Sequence, residues 1–250
     1  MKAPTEAILL RPGSLRISLE NRTNLRVLPT VWVTGTAVHN LLACRKPFLT
    51  AKRLLSNQTF RDLYGTETLD VDQQLQITSL TFLFTDLKGS TALYRRVGDL
   101  AAYHLVREHF QLLTQIVAAQ GGAIVRTIGD AVMATFPMPA QAVAAALQMR
   151  EGMLKLNEQH KRDDLLLKIG IHEGPCLAVI QNGRQDYFGQ TVNIAARVQE
   201  LADARSITVT REVIENSQTS MLLKSRNLKL VGRGAVLRGI ADDMMVYEIP

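Results

Sequence analysis

From about residue 78 the hydrophobic positions alternate between two periods. SLTFLFT (79–85) is a short apolar run rich in β-prone residues and predicts a buried strand. Residues 99–119 then carry Val106, Phe110, Leu113 and Val117 on one helical stripe, which stops at Gly121-Gly122. AIVRTI (123–128) and AVMATF (131–136) flank the two-residue loop Gly129-Asp130, the sequence form of a type II′ hairpin. A second helix over 139–159 carries Val143, Leu147 and Leu154, and its AAA run offers a close-packing face. LLLKIGIH (165–172) and CLAVIQ (176–181) predict two more strands. A helix over 190–203 with a buried stripe of Ile194, Val198 and Leu201 follows, then shorter β-prone stretches near 206–209, 227–231 and 244–249. The order β-α-β-β-α-β predicts an α+β fold, a ferredoxin-like antiparallel sheet with a C-terminal extension. That fold hosts many functions, so function has to come from a site.

Upstream the pattern is different. LRISLE (15–20) and LRVLPTVWV (25–33), separated by NRTN, read as strands, too few to fold independently. Residues 1–46 are therefore expected to be part of a β-rich unit. PFLTAKRLLSNQTFRDLY (47–64) reads as a helix and 65–77 as a polar linker, which places the main α+β domain at 78–250. At 250 residues with a formal charge of +6, the chain could meet nucleic acid, an anionic membrane face or a polyphosphate. The short basic stretch RKPFLTAKR (45–53) forms no long tract, and no nucleic-acid partner is expected. Two distant cysteines, Cys44 and Cys176, suit a reducing compartment. No signal peptide or membrane-length apolar run is apparent, which predicts a soluble, cytoplasmic chain without a membrane segment.

The stretch TFLFTDLKGST (81–91) carries the first candidate chemistry. A buried strand delivers Asp86 to its end, and Gly89-Ser90-Thr91 at once open a helix. A simple N-cap would account for these residue types. In a ferredoxin-like sheet, however, the first strand neighbours the central hairpin, and Asp86 would come close to Asp130. Two close carboxylates repel, and a divalent cation removes the conflict. Backbone N–H groups at Gly89, Ser90 and Thr91 could meet phosphate oxygens. This residue set fits metal-assisted phosphoryl transfer.

Four segments, TFLFTDLKGST, RTIGDAVMATF, KIGIHEGP and DYFGQTVNIAARV, occur in order over about residues 78–249. Together they resemble the class III adenylate/guanylate cyclase catalytic domain. The resemblance implies that Asp86, Asp130 and the Leu87 backbone carbonyl hold two Mg²⁺ or Mn²⁺ ions. It implies that Asn193 orients the ribose and that Arg197, one turn further on, stabilises charge on the transferring phosphate. It implies ATP as substrate, cyclic AMP and pyrophosphate as products, and a head-to-tail homodimer with shared active sites. Base recognition would fall to Asp186 and to Arg126, where the adenylate cyclase pattern has Lys and the guanylate cyclase pattern has Glu. Arg238, with Arg233 as competitor, would touch the β- and γ-phosphates. The resemblance reads the upstream residues as the end of a larger β-rich domain. The alternative is a catalytically weak or inactive member that binds nucleotide or dimerises as a regulator. His172, Tyr187 and Phe188 are read as structural or packing residues, and the IGDAVM hairpin excludes the diguanylate cyclase pattern, GG(D/E)EF.

Overall fold

The computed structural model describes residues 49–64, 74–181, 184–204, 206–240 and 243–250. The predicted strands at 15–20 and 25–33, Cys44 and most of the predicted linker lie outside the described residues. From Leu49 to Pro250 the chain packs as one unit.

The predicted helix over 47–64 is two helices, α1 (Ala51–Leu55) and α2 (Gln58–Tyr64). Polar side chains cause the break. Ser56 Oγ donates back to Lys52 O, and Asn57 Oδ1 accepts from Phe60 N at 2.9 Å, capping the second helix. β1 (Leu75–Leu87) begins inside the predicted linker and leads into α3 (Ser90–Val97) and α4 (Asp99–Ala119). β2 (Ala123–Ile128), β3 (Ala131–Phe136) and α5 (Pro139–Gln159) have the predicted bounds. At the hairpin tip Gly129 has φ +61° while Asp130 keeps a negative φ, the pattern of a type II′ turn. On α5, Val143 and Leu147 are buried but Leu154 is 45% exposed; Met153 and Leu156 turn inward instead.

The two strands expected at 165–172 and 176–181 are one strand, β4 (Leu167–Gln181). Pro175 makes the sequence look broken. It lies where the β1–β4 register slips between Ile77/Cys176 and Leu80/Gly174, the kind of irregularity a residue without an N–H tolerates. β5 (Arg184–Phe188), α6 (Gln190–Glu200) and β6 (Ile207–Thr210) follow. Helices α7 (Arg211–Glu215) and α8 (Ser217–Ser225) fill a stretch with no predicted element; Asn216 caps α8 by accepting from Gln218 N and Thr219 N. The strand expected near 227–231 is β7 (Val231–Ala235), and β8 (Met244–Ile249) ends the sheet.

The sheet order is β2-β3-β1-β4-β6-β8-β7, with β5 pairing β4 off this path. The β4–β6 pair is parallel and the others are antiparallel. The inner side chains of one face, among them Leu83, Val132 and Ile171, bury against Leu113 and Val117 of α4 and Ala142 and Leu147 of α5. On the other face Phe82, Phe84 and Met133 bury against Val192 and Ala195 of α6, Tyr187 of β5 and Leu55 of α1. Gly170 lets α6 lie directly on β4: a Cβ there would stand 2.2 Å from Gln199 N and 2.4 Å from Gln199 Cα. Backbone cannot swing aside as a side chain can. Gly170→Ala is therefore expected to cost about 1–3 kcal/mol or more by overpacking, read as a lowered denaturation midpoint. An unchanged midpoint would show that α6 does not depend on this contact.

Candidate active site

The ends of β1 and the β2–β3 hairpin make the first half of the site. Antiparallel pairing sets Thr85 opposite Val132, and Thr85 Oγ1 accepts from Val132 N at 3.2 Å. Asp86 is the next residue on β1, and Asp130 sits in the adjoining turn. The structure thus brings the two carboxylates into electrostatic contact. Burial raises the Asp86 carboxyl above the ordinary carboxylate range, and the negative charge of Asp130 raises it further; Lys168 and the Leu87 backbone pull it back down. Asp130 Oδ2 is buried with no hydrogen-bond partner among the described residues. A stripped carboxylate oxygen on a group in electrostatic contact with a second carboxylate has the chemistry of a divalent-cation site. Among the described residues no three His, Cys, Asp or Glu gather as a metal cluster, and the Leu87 carbonyl follows Asp86 along the chain.

The α3 start lies just beyond. Gly89 adopts the left-handed conformation at φ +73°, and no side chain caps the helix. Lys88 N donates to Leu166 O at 2.8 Å, which pins this turn to the start of β4. Ser90 and Thr91 occupy the first turn, half-buried and exposed.

The other half lies on α6. Asn193 is exposed and Arg197 half-buried, on the shoulder of the stripe made by buried Ile194 and Val198 and half-buried Leu201. Arg197 Nη1 bonds Glu200 Oε1 on the same helix. No hydrogen bond or ion pair among the described residues joins Asn193 or Arg197 to Asp86 or Asp130. Arg238 is exposed and has no partner among the described residues, whereas Arg233 Nη2 donates to Leu201 O at 2.9 Å, at the C-terminus of α6.

The third group joins β2 to β5. Arg126 Nη1 donates to Asp186 Oδ2 at 2.7 Å, and Asp186 Oδ1 accepts from Tyr187 N at 2.8 Å. The Asp186 side chain is 12% exposed, that of Arg126 45%. Tyr187 packs edge-on against Phe82 at 5.5 Å, and burial pushes its phenol up to about 12. Phe188 does not pack: it is 70% exposed. His172 is structural, its Nδ1 2.8 Å from Thr210 Oγ1, and burial lowers its pKa to about 4. His109, which the sequence places on α4 in no HExxH pattern, lies fully buried under the hairpin with Nδ1 3.5 Å from Met153 Sδ and its ring near the Asp130 backbone. Its position on the α4 stripe was the available signal of that burial.

Fold and site together define an α+β domain whose central strands carry paired carboxylates at one end. Residues 73–249 match the family model described as the adenylate and guanylate cyclase catalytic domain, and the chain belongs to this family. A second model, of a family of unknown function, matches residues 1–62. An adenylate cyclase of Anabaena cylindrica is 25% identical over 185 residues, 68% of this chain and 36% of that protein. Guanylate cyclase 32E of Drosophila melanogaster is 29% identical over 142 residues, 52% of this chain and 12% of that protein. Among solved structures, the adenylyl cyclase CyaB from P. aeruginosa superposes with a TM-score of 0.62 at 23% identity, over 71% of this chain and 96% of that one. The chain spans less than half the length of the curated relatives named here. Among the described residues no helix is long and apolar enough to cross a membrane.

The raised Asp86 pKa carries a sign. A carboxyl that binds its proton more tightly folded than unfolded loses native stability as pH rises from 3.8 through the raised value, so the pair is a liability at neutral pH. A cation removes it. Mg²⁺ or Mn²⁺ at a hundredfold excess over Kd is expected to stabilise by about 2.7 kcal/mol, seen as a melting temperature raised by several degrees over the chelator control. Asp86→Asn should melt higher than wild type in chelator and lose the response to metal. A metal shift that survives Asp86→Asn would place the ion elsewhere.

Proposed function

We propose that the chain is an adenylate cyclase, converting ATP to 3′,5′-cyclic AMP and pyrophosphate at sites shared by two copies in head-to-tail arrangement. The observation that carries the reading is the stripped Asp130 oxygen beside Asp86, a pair that fits Mg²⁺ or Mn²⁺. Two such ions, when bound, would supply Lewis-acid polarisation of the ribose 3′-hydroxyl and charge neutralisation on the triphosphate. Asp86, Asp130 and the Leu87 carbonyl hold that end. The uncapped N–H groups at Gly89, Ser90 and Thr91 donate to phosphate oxygens. In the step itself the 3′-oxygen gives its proton to solvent water and bonds to the α-phosphorus. The bond from that phosphorus to the bridging oxygen breaks, and pyrophosphate leaves with the electron pair.

Asn193 donates to the ribose. Arg197 turns from Glu200 to the α-phosphate, where its planar fork matches two equatorial oxygens. Arg238 reaches the terminal phosphates. The lack of any bond between the α6 pair and the carboxylates within one chain supports a second copy completing each site. Exposed apolar residues support it too: Ile128 and Phe188, 53% and 70% exposed, lie two residues from Asp130 and Asp186. Asp186 selects adenine by accepting from its amino group, and Arg126 donates to the ring nitrogen. The closed Arg126–Asp186 pair also favours a second reading, a nucleotide-binding or dimerising regulator that seldom opens its base site.

Turnover of ATP and GTP with Mg²⁺ and Mn²⁺ separates the two. Cyclic AMP from wild type is expected. Asp86→Ala and Arg197→Ala should each lose at least about a hundredfold in kcat, as removal of a charge-stabilising group does. Mixing the two inactive variants should restore part of the activity through mixed dimers with one intact site. No product from a confirmed wild-type dimer would leave the regulatory reading.

A further inference from the structure

The strands that carry the two base-reading residues are not neighbours. β2 pairs β3, β5 pairs β4, and three strands (β3, β1 and β4) lie between them in the sheet. Yet Arg126 Nη1 on β2 stands 2.7 Å from Asp186 Oδ2 on β5. The two strands therefore approach each other across the sheet, and no ladder hydrogen bond sets their spacing. A second residue spans the same gap. Arg61 Nη2, on α2, donates to Gln185 O at 3.0 Å and to Val125 O at 3.4 Å. Those carbonyls belong to the residues immediately before Asp186 and Arg126. One guanidinium nitrogen thus holds both strands at the base-reading positions.

The contact is specific to an irregularity in β2. The β2–β3 register slips between Ile124 and Arg126. A slip leaves backbone polar groups without ladder partners, and α2 takes them: Gln58 Oε1 accepts from Ile124 N at 2.7 Å while Arg61 takes the Val125 carbonyl. Arg61 Nη1 is buried with no partner among the described residues. The guanidinium is enclosed between the strands rather than waving in solvent. α1 adds a further tie, since Tyr187 OH donates to Leu55 O at 3.3 Å.

We propose that Arg61 is a positioning residue for purine recognition: it clips β2 to β5 and so sets the separation of Arg126 and Asp186 that distinguishes adenine from guanine. This rests on the adenine-site reading above. The clip lies within residues 1–62, the stretch matched by the family of unknown function, so the base site is completed by a segment upstream of the cyclase match. Any change that shifts α2 alters base recognition without touching the metal carboxylates.

The test uses the full chain. For wild type, Arg61→Ala, Arg61→Lys and Gln58→Ala, kcat and KM are measured with ATP and with GTP, and Kd with ribose-labelled fluorescent ATP and GTP. Arg61→Ala is expected to lower the ATP-to-GTP ratio of kcat/KM tenfold or more, chiefly through KM, with the Kd ratio falling in parallel. Arg61→Lys, able to reach one carbonyl, should fall between. In an Asp186→Asn background Arg61→Ala should change the ratio less than twofold, which a purely structural role would not predict. A folded Arg61→Ala with ratios within twofold of wild type overturns the proposal, as does a wild type that binds both nucleotides equally. If Arg61→Ala does not fold, Arg61→Lys and Gln58→Ala decide by the same ratios. A wild type that cyclises neither nucleotide overturns the cyclase reading alone, and the Kd ratios then decide the clip.

Discussion

The pairing of β1 with β4 is the constraint on which the rest depends. These are the two longest strands, 13 and 15 residues, and they run antiparallel from Leu75/Ala178 to Leu87/Leu167. Each end of the ribbon serves a different part of the site. At one end Asp86 emerges beside the hairpin. At the other, past the slip at Pro175, the ribbon carries β5 back toward β2. α6 rests on the middle, where Gly170 admits it at backbone distance and Thr191 Oγ1 donates to Pro175 O. The carboxylates, the Arg126–Asp186 pair and the Asn193/Arg197 helix are thereby referred to one rigid ribbon rather than to separate loops. A shift along it would move all three groups together, the kind of preorganisation phosphoryl transfer needs.

The electrostatics oppose the packing at one point. A strand end that buries Leu87 and Thr85 also holds Asp86 near Asp130 and leaves Asp130 Oδ2 unpaired. No local compensation among the described residues satisfies that oxygen. Lys168, opposite Asp86 in the ladder, lies near enough to lower its pKa, but its Nζ donates at 3.1 Å to Glu200 O at the end of α6. Local rules for stability are broken here and kept elsewhere, as expected where function and stability compete.

Elements with a strong, uninterrupted period were legible in the sequence to the residue: α4, β2, β3 and α5 among them. The Gly129-Asp130 turn was legible because only one central position needs a positive φ and glycine stands there. The misreadings have physical causes. Pro175 looked like a strand end, but tertiary pairing carries β4 through it by slipping the register. Leu154 looked like core because it is apolar, but Met153 and Leu156 occupy the inward positions. α7 and α8 were missed because short helices depend on tertiary packing, here through Val213 and Leu223, more than on propensity. For the candidate site, the motif residues were legible one by one. Arg61 was not: it lies before the expected domain boundary, and its partners are backbone carbonyls that no side-chain pattern marks.

On the adenylate cyclase reading proposed above, magnitudes rank the two closed contacts. The Arg197–Glu200 pair is an exposed i,i+3 contact worth about 0.3–0.5 kcal/mol. A triphosphate displaces it at negligible cost. The Arg126–Asp186 contact is charge-assisted and joins a carboxylate only 12% exposed, so it is worth about 1.5 kcal/mol even after discounting for the exposed arginine. A base entering between them has to replace that bond. Adenine offers Asp186 an amino donor and Arg126 a ring nitrogen, so both partners remain satisfied. Guanine held in the proposed adenine pose would put a carbonyl oxygen at the same edge, where it would meet the carboxylate with no proton between them. The penalty for leaving a buried charged acceptor unpaired is larger than the gain from making one more neutral bond. On the adenylate cyclase reading proposed above, discrimination would arise mainly from what the wrong base strands, and it would be only as sharp as the spacing of the two strands is fixed.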